Sequence, residues 1–290
     1  MVDYTGESRK LEQCHGSYIS EGLTPEIISR FREIIYGYYR AYGRDFPWRR
    51  TDDPYRILVS EIMLQQTQTS RVVQKYEEFI AALPGFAELA GAPLRVVLGL
   101  WQGLGYNRRA IYLQRAAQTV ISGHSGVLPS SPELLVKLPG IGPYTAAAVA
   151  AIAFRQPTVF IETNIRTVFH SFFYRDTSRI ADKEMLELVE ATLDTDHPRE
   201  WYYALFDYGA MLKREGDADY SQYATRQSPF RGSNRQLRGQ ILRVLLETPA
   251  IDMEELSRRL DYGSERMEKA LGGLAAEGFI ELNDGTIYLK

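Results

Sequence analysis

Cysteine is almost absent from this chain of 290 residues, which contains a single one, Cys14. One thiol cannot form an internal disulfide or a metal site of clustered thiolates, so a disulfide-stabilised secreted scaffold is excluded. The chain also lacks an apolar run of the roughly 18–20 residues that a membrane-spanning helix needs. The segment from Met1 to Ser20 is polar and has no apolar core of a secretory signal. We therefore expect a cytoplasmic protein with no membrane partner.

Lysine is scarce as well, because only seven of the 34 basic residues are lysines. The net charge of −3 argues against indiscriminate binding to polyanions. The charge is nevertheless uneven: from Leu89 to Ile161 six basic residues stand against one acid, Glu133, and residues 220–246 carry five arginines and no acid. Arginine suits phosphate oxygens, although a solvated surface is the simpler interpretation of such clusters.

The composition is that of a globular protein, with 44% hydrophobic and 24% charged residues and a mean hydropathy of −0.28. Helical periodicity dominates to about residue 225, so we predict a mainly all-α fold in which a long helix begins at Pro54 and extends to about Lys75. We predict a loose polar leader over 1–23, a helical core over 24–215 and a linker over 216–233.

Residues 234–290 differ in pattern from the core. Three helical segments precede two short strand patterns around Asn283-Asp284-Gly285, which predicts three helices followed by a β-hairpin, the order of a winged helix. The third of these helices mixes acidic and basic residues and contains two glycines, so it is a poor reader of the DNA major groove. We expect an accessory or packing role for this module.

A Pro-Gly-x-Gly turn lies between two helical patterns, at Leu138-Pro-Gly-Ile-Gly-Pro-Tyr-Thr145. Gly140 and Gly142 would let the backbone approach a ligand, and the free amides at the start of the next helix suit a phosphate. This is the helix-hairpin-helix pattern, which grips the DNA backbone without reading sequence. The alternative is a simple turn between two helices.

Two carboxylates are candidates for acid–base chemistry. On a helix, Glu61 shares a stripe with Ile57 and Leu64, which turns it inward. A carboxyl group in an apolar setting has a raised pKa, as a general acid near neutral pH requires; a structural pairing with Arg49 or Arg50 is an equal alternative. Glu162 ends an apolar run. A second carboxylate there could stabilise a cationic sugar during glycosidic cleavage, or be an ordinary loop charge before a helix that Asn164 caps.

Several ordered motifs from Phe46 to Phe173 resemble the helix-hairpin-helix DNA glycosylases, and specifically the adenine DNA glycosylases. The matching strings are Pro47-Trp-Arg-Arg50, Pro54-Tyr55, Ser60-Glu-Ile-Met-Leu-Gln-Gln-Thr-Gln68, Leu100-Trp101, Gly103-Leu-Gly-Tyr106, the hairpin string and, further on, Phe206-Asp-Tyr-Gly-Ala210. The resemblance implies a two-lobed helical fold with the active site in the cleft between the lobes. It also implies hydrolysis of the bond between a flipped base and its sugar, in duplex DNA with a mispaired or damaged base.

The resemblance also implies roles for single residues. Glu61 would protonate the leaving adenine, and Glu162, where the family has aspartate, would stabilise the sugar cation with support from Tyr144 and Asn164. The resemblance implies a base pocket formed by Trp48, Arg49, Leu64 and Asp207. It implies a DNA-contacting set formed by Gln66, Tyr106, Gly140, Gly142, Arg108 and Arg109. Within this set, Gln66 and Tyr106 would be wedge residues, whose side chains insert into the duplex as the target nucleotide leaves the stack. Tyr144 replaces the Schiff-base lysine of bifunctional relatives, so strand cleavage should be weak or absent.

Three departures from the family stand out. The longer Glu162 side chain could displace its carboxylate. The four cysteines that ligate an iron–sulfur cluster in the family are missing here, so we expect no cluster. We also expect no other metal or cofactor beyond a monovalent cation at the hairpin. The usual domain that inspects 8-oxoguanine is expected to be missing, with the C-terminal module in its place.

The sequence leaves several functions open. The leading hypothesis is a monomeric, nucleoid-associated, monofunctional glycosylase for adenine opposite 8-oxoguanine or guanine. The alternatives are a glycosylase for hypoxanthine or for mismatched uracil or thymine, and a non-catalytic DNA-binding protein.

Overall fold

The computed structural model describes residues 4–175, 177, 180–216 and 229–290. The predicted helical fold is confirmed, and a small sheet follows near the end of the chain. The helices before residue 217 are α1 (Tyr4–Glu21), α2 (Pro25–Tyr42), α3 (Pro54–Leu64), α4 (Thr69–Ala82), α5 (Phe86–Gly91), α6 (Leu94–Trp101), α7 (Arg108–Gly123), α8 (Pro132–Leu135), α9 (Pro143–Phe154), α10 (Thr163–Phe173), α11 (Asp182–Thr192) and α12 (Pro198–Glu215). Among the described residues, no helix is both long and apolar enough to cross a bilayer.

The segment predicted to be a loose polar leader is instead the helix α1. Leu11 and Cys14 on α1 are fully buried, and the hydroxyl of Tyr208 donates a hydrogen bond to Glu7 Oε2 at 3.3 Å. Two buried apolar side chains are too few to produce a visible helical periodicity, which is why the sequence pattern suggested a loop.

The long helix predicted from Pro54 to Lys75 is wrong, because the chain breaks between α3 and α4. The break comprises residues 65–68, and Gln66 within it has a left-handed backbone, with φ of +53°. Glutamine is a good helix former, so nothing in the local sequence signals the interruption. The break turns the Gln66 segment out of the helix and into a loop.

Two compact units divide the chain. The first comprises Met1–Ile57, Ser130–Val136 and Gly142–Thr225, and the second comprises Leu58–Pro129, Lys137–Ile141 and Arg226–Lys290. This division differs from the predicted one, since the described C-terminal residues group with Leu58–Pro129. Most of the predicted linker lies outside the described residues.

Aromatic packing dominates the core of the first unit. The Phe31 ring on α2 meets Phe172 on α10 and Trp201 on α12 edge to face, with centroid distances of 4.9 and 5.6 Å. These three side chains are fully buried. Edge-to-face pairs of this kind add to the stabilisation from burial alone, so α2, α10 and α12 form one rigid support.

The C-terminal module of the second unit contains α13 (Asn234–Glu247), α14 (Met253–Leu260) and α15 (Ser264–Ala276). Its strands β1 (Ala250–Asp252), β2 (Ile280–Asn283) and β3 (Thr286–Leu289) pair antiparallel in the order β1-β3-β2. Ile251 of β1 and Leu282 of β2 both oppose Ile287 of β3. The predicted three helices and hairpin are present. The strand β1 was not predicted, because three residues are too short for an alternating pattern.

Candidate functional site

Glu61 lies on the buried face of α3, as the helical spacing predicts. Only 8% of its surface is exposed, and the neighbouring Leu58 is completely buried. The two arginines considered as structural partners of Glu61 bind other carboxylates. Arg49 forms an ion pair with Asp207 at 2.8 Å, and Arg50 donates from Nε to Asp45 Oδ1 at 2.6 Å.

Glu162 caps the N terminus of α10, whereas the sequence predicted Asn164 as the cap. Its Oε1 accepts hydrogen bonds from the backbone amides of Asn164 at 2.6 Å and Ile165 at 2.9 Å. Its Oε2 accepts from the Thr163 hydroxyl at 3.1 Å and from Asn164 Nδ2 at 3.3 Å. The extra methylene of glutamate therefore folds back onto the helix, where the amides favour a negative charge. The carboxyl group is held in a fixed position.

Asn164 is held in place from α12. A β-carbon on Gly209 would lie 2.3 Å from the backbone oxygen of Asn164, so only glycine permits this close approach. One helical turn later, Lys213 Nζ donates to Asn164 Oδ1 at 2.8 Å. This bond directs the amide NH₂ of Asn164 towards Glu162. Burial lowers the pKa of Lys213, and the neighbouring Glu162 charge opposes that shift.

Arg49 and Asp207, two predicted base-pocket residues, form a buried ion pair. Both Asp207 oxygens accept hydrogen bonds from Arg49, at 2.8 and 2.9 Å, and both also accept from Arg44. The Asp207 side chain is 1% exposed. Its carboxylate is thus already saturated, so Asp207 fixes Arg49 rather than presenting an open acceptor to a base. Arg44 belongs to no sequence motif, so it was not predicted as a partner of Asp207.

Two aromatic residues of the predicted site rest on neighbouring rings. Trp48, in a single 3-10 turn (Pro47–Arg49), is 4% exposed and stacks on Phe46 at 4.9 Å. Tyr144, in the first turn of α9, is 37% exposed and meets Phe160 edge to face at 5.6 Å. Phe160 in turn stacks on Tyr202 at 4.0 Å. Phe160 therefore holds the Tyr144 ring in place, while part of the ring faces solvent.

The hairpin turn uses its two glycines differently. Gly140 has φ of +77°, and a β-carbon there would lie 2.5 Å from the Tyr112 β-carbon, so packing requires glycine. Gly142 is the N-cap of α9 and makes no side-chain cap. No atom lies within 4 Å of the position that its β-carbon would take. The start of α9 thus has the space and the backbone geometry that an anion would need.

Gln66 and Tyr106, the predicted wedge residues, share an unusual backbone. Both are left-handed, with φ of +53° and +48°, which is uncommon for residues other than glycine and recurs at functional sites. Arg109 connects their loops. It donates to the carbonyl oxygens of Ile62 and Met63, each at 2.9 Å, to the Thr67 hydroxyl at 2.9 Å, and to the carbonyls of residues 104 and 105.

In the structure the Arg109 guanidinium therefore holds the two loops together, and its predicted contact with DNA stays a prediction. Its guanidinium is used inside the protein, and burial lowers its pKa to about 10. Arg108 beside it is exposed and pairs with Glu277 at 3.2 Å.

The residues do not fit an iron–sulfur cluster. Such a cluster needs four thiolates, and the chain has one cysteine, which is buried in α1. After the Asp207 region, where the resemblance implies these cysteines, Lys213 bonds to Asn164. Within the described ranges no three His, Cys, Asp or Glu side chains cluster as metal ligands. The monovalent cation at the hairpin stays a prediction.

The structure brings the predicted residues together in separate sets. In the first unit, Glu162 contacts Asn164, and Arg49 contacts Asp207. In the second unit, one groove is lined by five of the six DNA-contacting candidates, all but Gly142: Gln66, Tyr106, Gly140, Arg108 and Arg109. Glu61 and Leu64 also belong to the second unit.

Comparison with known proteins identifies the family of this chain. The sequence model of the "HhH-GPD superfamily base excision DNA repair protein" family matches residues 59–192. An adenine DNA glycosylase of Mycolicibacterium smegmatis is 31% identical over 88% of this chain and 94% of its own length. One of Buchnera aphidicola is 33% identical over 63% of this chain, which spans only 52% of that relative.

A solved structure has a similar fold. The structure of a thermostable thymine-DNA glycosylase aligns with a TM-score of 0.57 and 28% identity, over 63% of this chain and 88% of that one. Together with the similarity over 94% of the mycobacterial relative, these matches show that the chain belongs to the HhH-GPD superfamily and, within it, to the adenine DNA glycosylase branch.

Proposed function

We propose that this glycosylase removes adenine that is mispaired with 8-oxoguanine or guanine in duplex DNA. The observation that carries the proposal is the similarity over 94% of the length of an adenine DNA glycosylase, which extends beyond the shared hairpin and catalytic motifs. The protein would act as a monomer on the DNA of the cytoplasmic nucleoid.

The proposed reaction breaks the bond between adenine N9 and sugar C1′. Glu61 protonates the base at N7, and the bonding electron pair leaves with the base. The sugar becomes cationic, and water adds to C1′ as Glu61 takes back a proton. The buried position of Glu61 on α3 supports this role because it keeps bulk water away from the acid.

Glu162 supplies the negative charge for the sugar cation. Its four hydrogen bonds to the start of α10 fix the carboxylate before the reaction, so no reorganisation is needed when the positive charge develops. A carboxylate with four donors is a poor nucleophile, which favours electrostatic stabilisation over a covalent sugar–enzyme intermediate. The lysine of bifunctional relatives is replaced by Tyr144, whose phenol forms no Schiff base.

A second candidate is excision of thymine or uracil from mismatches. The similarity to a thymine-DNA glycosylase structure at 28% identity favours it, as does glutamate rather than aspartate at position 162.

An excision assay on a panel of duplexes tests both candidates. The panel contains adenine opposite 8-oxoguanine, guanine and thymine, thymine and uracil opposite guanine, and hypoxanthine, with alkali to reveal abasic sites. The proposal expects cleavage of the first two duplexes, no cleavage of adenine opposite thymine, and no strand breaks without alkali. Activity on thymine or uracil but not adenine would reverse the ranking.

The variant Glu61→Gln separates catalysis from binding. We expect excision to fall by at least about 100-fold, as for loss of a general acid, while duplex affinity is kept. Glu77→Gln, at an exposed glutamate on α4, is the matched control and should behave as wild type. If wild type binds duplexes but cleaves none, and Glu61→Gln is indistinguishable from it, the non-catalytic alternative holds.

A further inference from the structure

A large groove in the second unit is lined both by the wedge loops and by the C-terminal module. Its volume is about 1430 Å³. Gln66, Tyr106 and Gly140 line it together with Arg235, Gly239 and Arg243 of α13. The sequence pattern did not indicate that α13, the first helix of the module, would lie beside this groove.

The module is fixed in this position by contacts within the second unit. The Arg95 guanidinium donates to the Leu246 carbonyl at the end of α13, and Arg115 Nη2 donates to the Glu277 carbonyl at 3.1 Å. Glu277 itself pairs with Arg108 of α7 and with Arg238 of α13. These contacts hold α13 beside the groove.

The groove is strongly positive although the chain is not. Its lining contains one carboxylate, Glu277, and six arginines: Arg71, Arg108, Arg109, Arg235, Arg238 and Arg243. Their sum of +5 contrasts with the net charge of −3 for the whole chain. Glu277 neutralises part of this charge, and Arg109 is used internally. Arg71 and Arg243 are exposed and pair with no carboxylate of the described residues.

The spacing along α13 suits an extended anion. Arg235 and Arg243 are eight residues apart, which places them on one helix face about 12 Å apart along the axis. Gly239 lies midway, and no atom lies within 4 Å of where its β-carbon would be. A mid-helix glycine costs about 1 kcal/mol relative to alanine, and here it leaves room for a chain to pass close to the helix. Arg235 Nη1 also contacts the Tyr106 hydroxyl at 3.1 Å.

We propose that α13 forms the wall of a DNA-backbone groove beside the wedge residues, with Arg235 and Arg243 contacting phosphates of the duplex. The ligand is DNA because the lining combines several guanidinium groups with Gln66 and Tyr106. This step rests on the proposed function, duplex DNA glycosylase activity, in which the resemblance makes these two residues the wedge. The C-terminal module is then part of the substrate-binding surface and not only a packing element.

The test is the salt dependence of duplex binding by the full chain. Fluorescence anisotropy compares wild type with the double variant Arg235→Gln/Arg243→Gln on a duplex containing adenine opposite 8-oxoguanine. Loss of two phosphate contacts should reduce the slope of log K against log salt by about 1.8, with weaker binding at low salt. The matched control is Arg258→Gln/Arg259→Gln on α14, whose side chains pair with Glu255 and do not line the groove.

Each other outcome overturns the proposal. An unchanged slope and affinity would show that the module only packs against the unit. Tighter binding or faster excision by the double variant would show that the bond from Arg235 keeps the Tyr106 side chain away from the duplex. Thermal unfolding of each variant verifies that it is folded. The result is independent of base specificity, because binding is measured whether or not wild type excises adenine.

Discussion

The carboxylate of Glu162 accepts a 2.6 Å hydrogen bond from the backbone amide of Asn164, so the residue proposed to stabilise the sugar cation is also the cap of a helix. This double use gives the longer side chain of glutamate a defined position where the resemblance implies aspartate. The longer side chain bends back to the amides instead of reaching further outward.

Neutralising this cap should separate stability from catalysis. Glu162→Gln keeps an acceptor oxygen, so the free energy of unfolding should fall by no more than about 1 kcal/mol, within the usual range for a lost cap. Excision should fall by about 100-fold, because the anion facing the sugar cation is lost. Urea unfolding and single-turnover excision measure the two effects.

Asp252 offers the matched control for this change. It caps α14 in the same way, accepting from the Glu255 amide at 2.7 Å, and lies outside the catalytic set. Asp252→Asn should have a similar effect on stability and leave excision unchanged. Equal losses of excision in the two variants would contradict the catalytic role of Glu162.

The contact between Gly209 and Asn164 predicts a specific packing defect. In Gly209→Ala the new methyl group would overlap the Asn164 carbonyl, so α10 and α12 must move apart. Overpacking of this kind lowers the free energy of unfolding by about 1–3 kcal/mol. The displacement of Asn164 should also slow excision. Gly99→Ala is the control: Gly99 lies in α6 with no atom within 4 Å of its β-carbon position. Alanine there should be neutral or stabilising, and a harmless Gly209→Ala would refute the close approach.

Arg109 predicts a link between stability and the wedge loops. Arg109→Met keeps the length of the side chain but leaves the carbonyl oxygens of Ile62 and Met63 without their donor. The free energy of unfolding should therefore fall by at least about 2 kcal/mol. Excision should fall further than stability explains, because the loops carrying Gln66 and Tyr106 lose their common anchor. Arg108→Met, at the exposed neighbour, controls for loss of one charge and should cost far less stability. If both variants unfold at the same urea concentration, the anchoring role is wrong.

Cys14 predicts how stability depends on alkaline pH. Burial raises the pKa of its thiol from 9.0 to about 11, so the folded state holds the proton more tightly than the unfolded state. This contribution to stability is complete below pH 9 and is lost as the pH rises towards 11. The free energy of unfolding of wild type should therefore fall more steeply between pH 9 and 11 than that of Cys14→Ala.

Thiol modification gives a second measurement on the same residue. At pH 8 the native protein should react with a disulfide reagent far more slowly than the urea-unfolded chain, because the thiol is both buried and protonated. Fast reaction of the native protein would mean that α1 is not docked.

The sequence alone determined the helical class, the hairpin turn and the inward face of Glu61, because each depends on local periodicity or on a short motif. It also located the wedge candidates, although it gave no sign that Gln66 breaks a helix. Good helix formers at 65 and 66 predict continuation, whereas hydrogen bonds from Arg109, 43 residues further along the chain than Gln66, stabilise the interruption.

Only the tertiary structure decided what the charged side chains do. Arg109 anchors two loops inside the protein, and Asp207 is the saturated partner of two arginines, because their donors or acceptors come from distant segments. Glu162 caps the helix that follows it, in a position supported from α12 through Asn164. The same holds for α1, whose two buried apolar residues are meaningful only against α2 and α10. Local pattern fixes the elements of this glycosylase, whereas long-range hydrogen bonding and packing fix the roles of its polar residues.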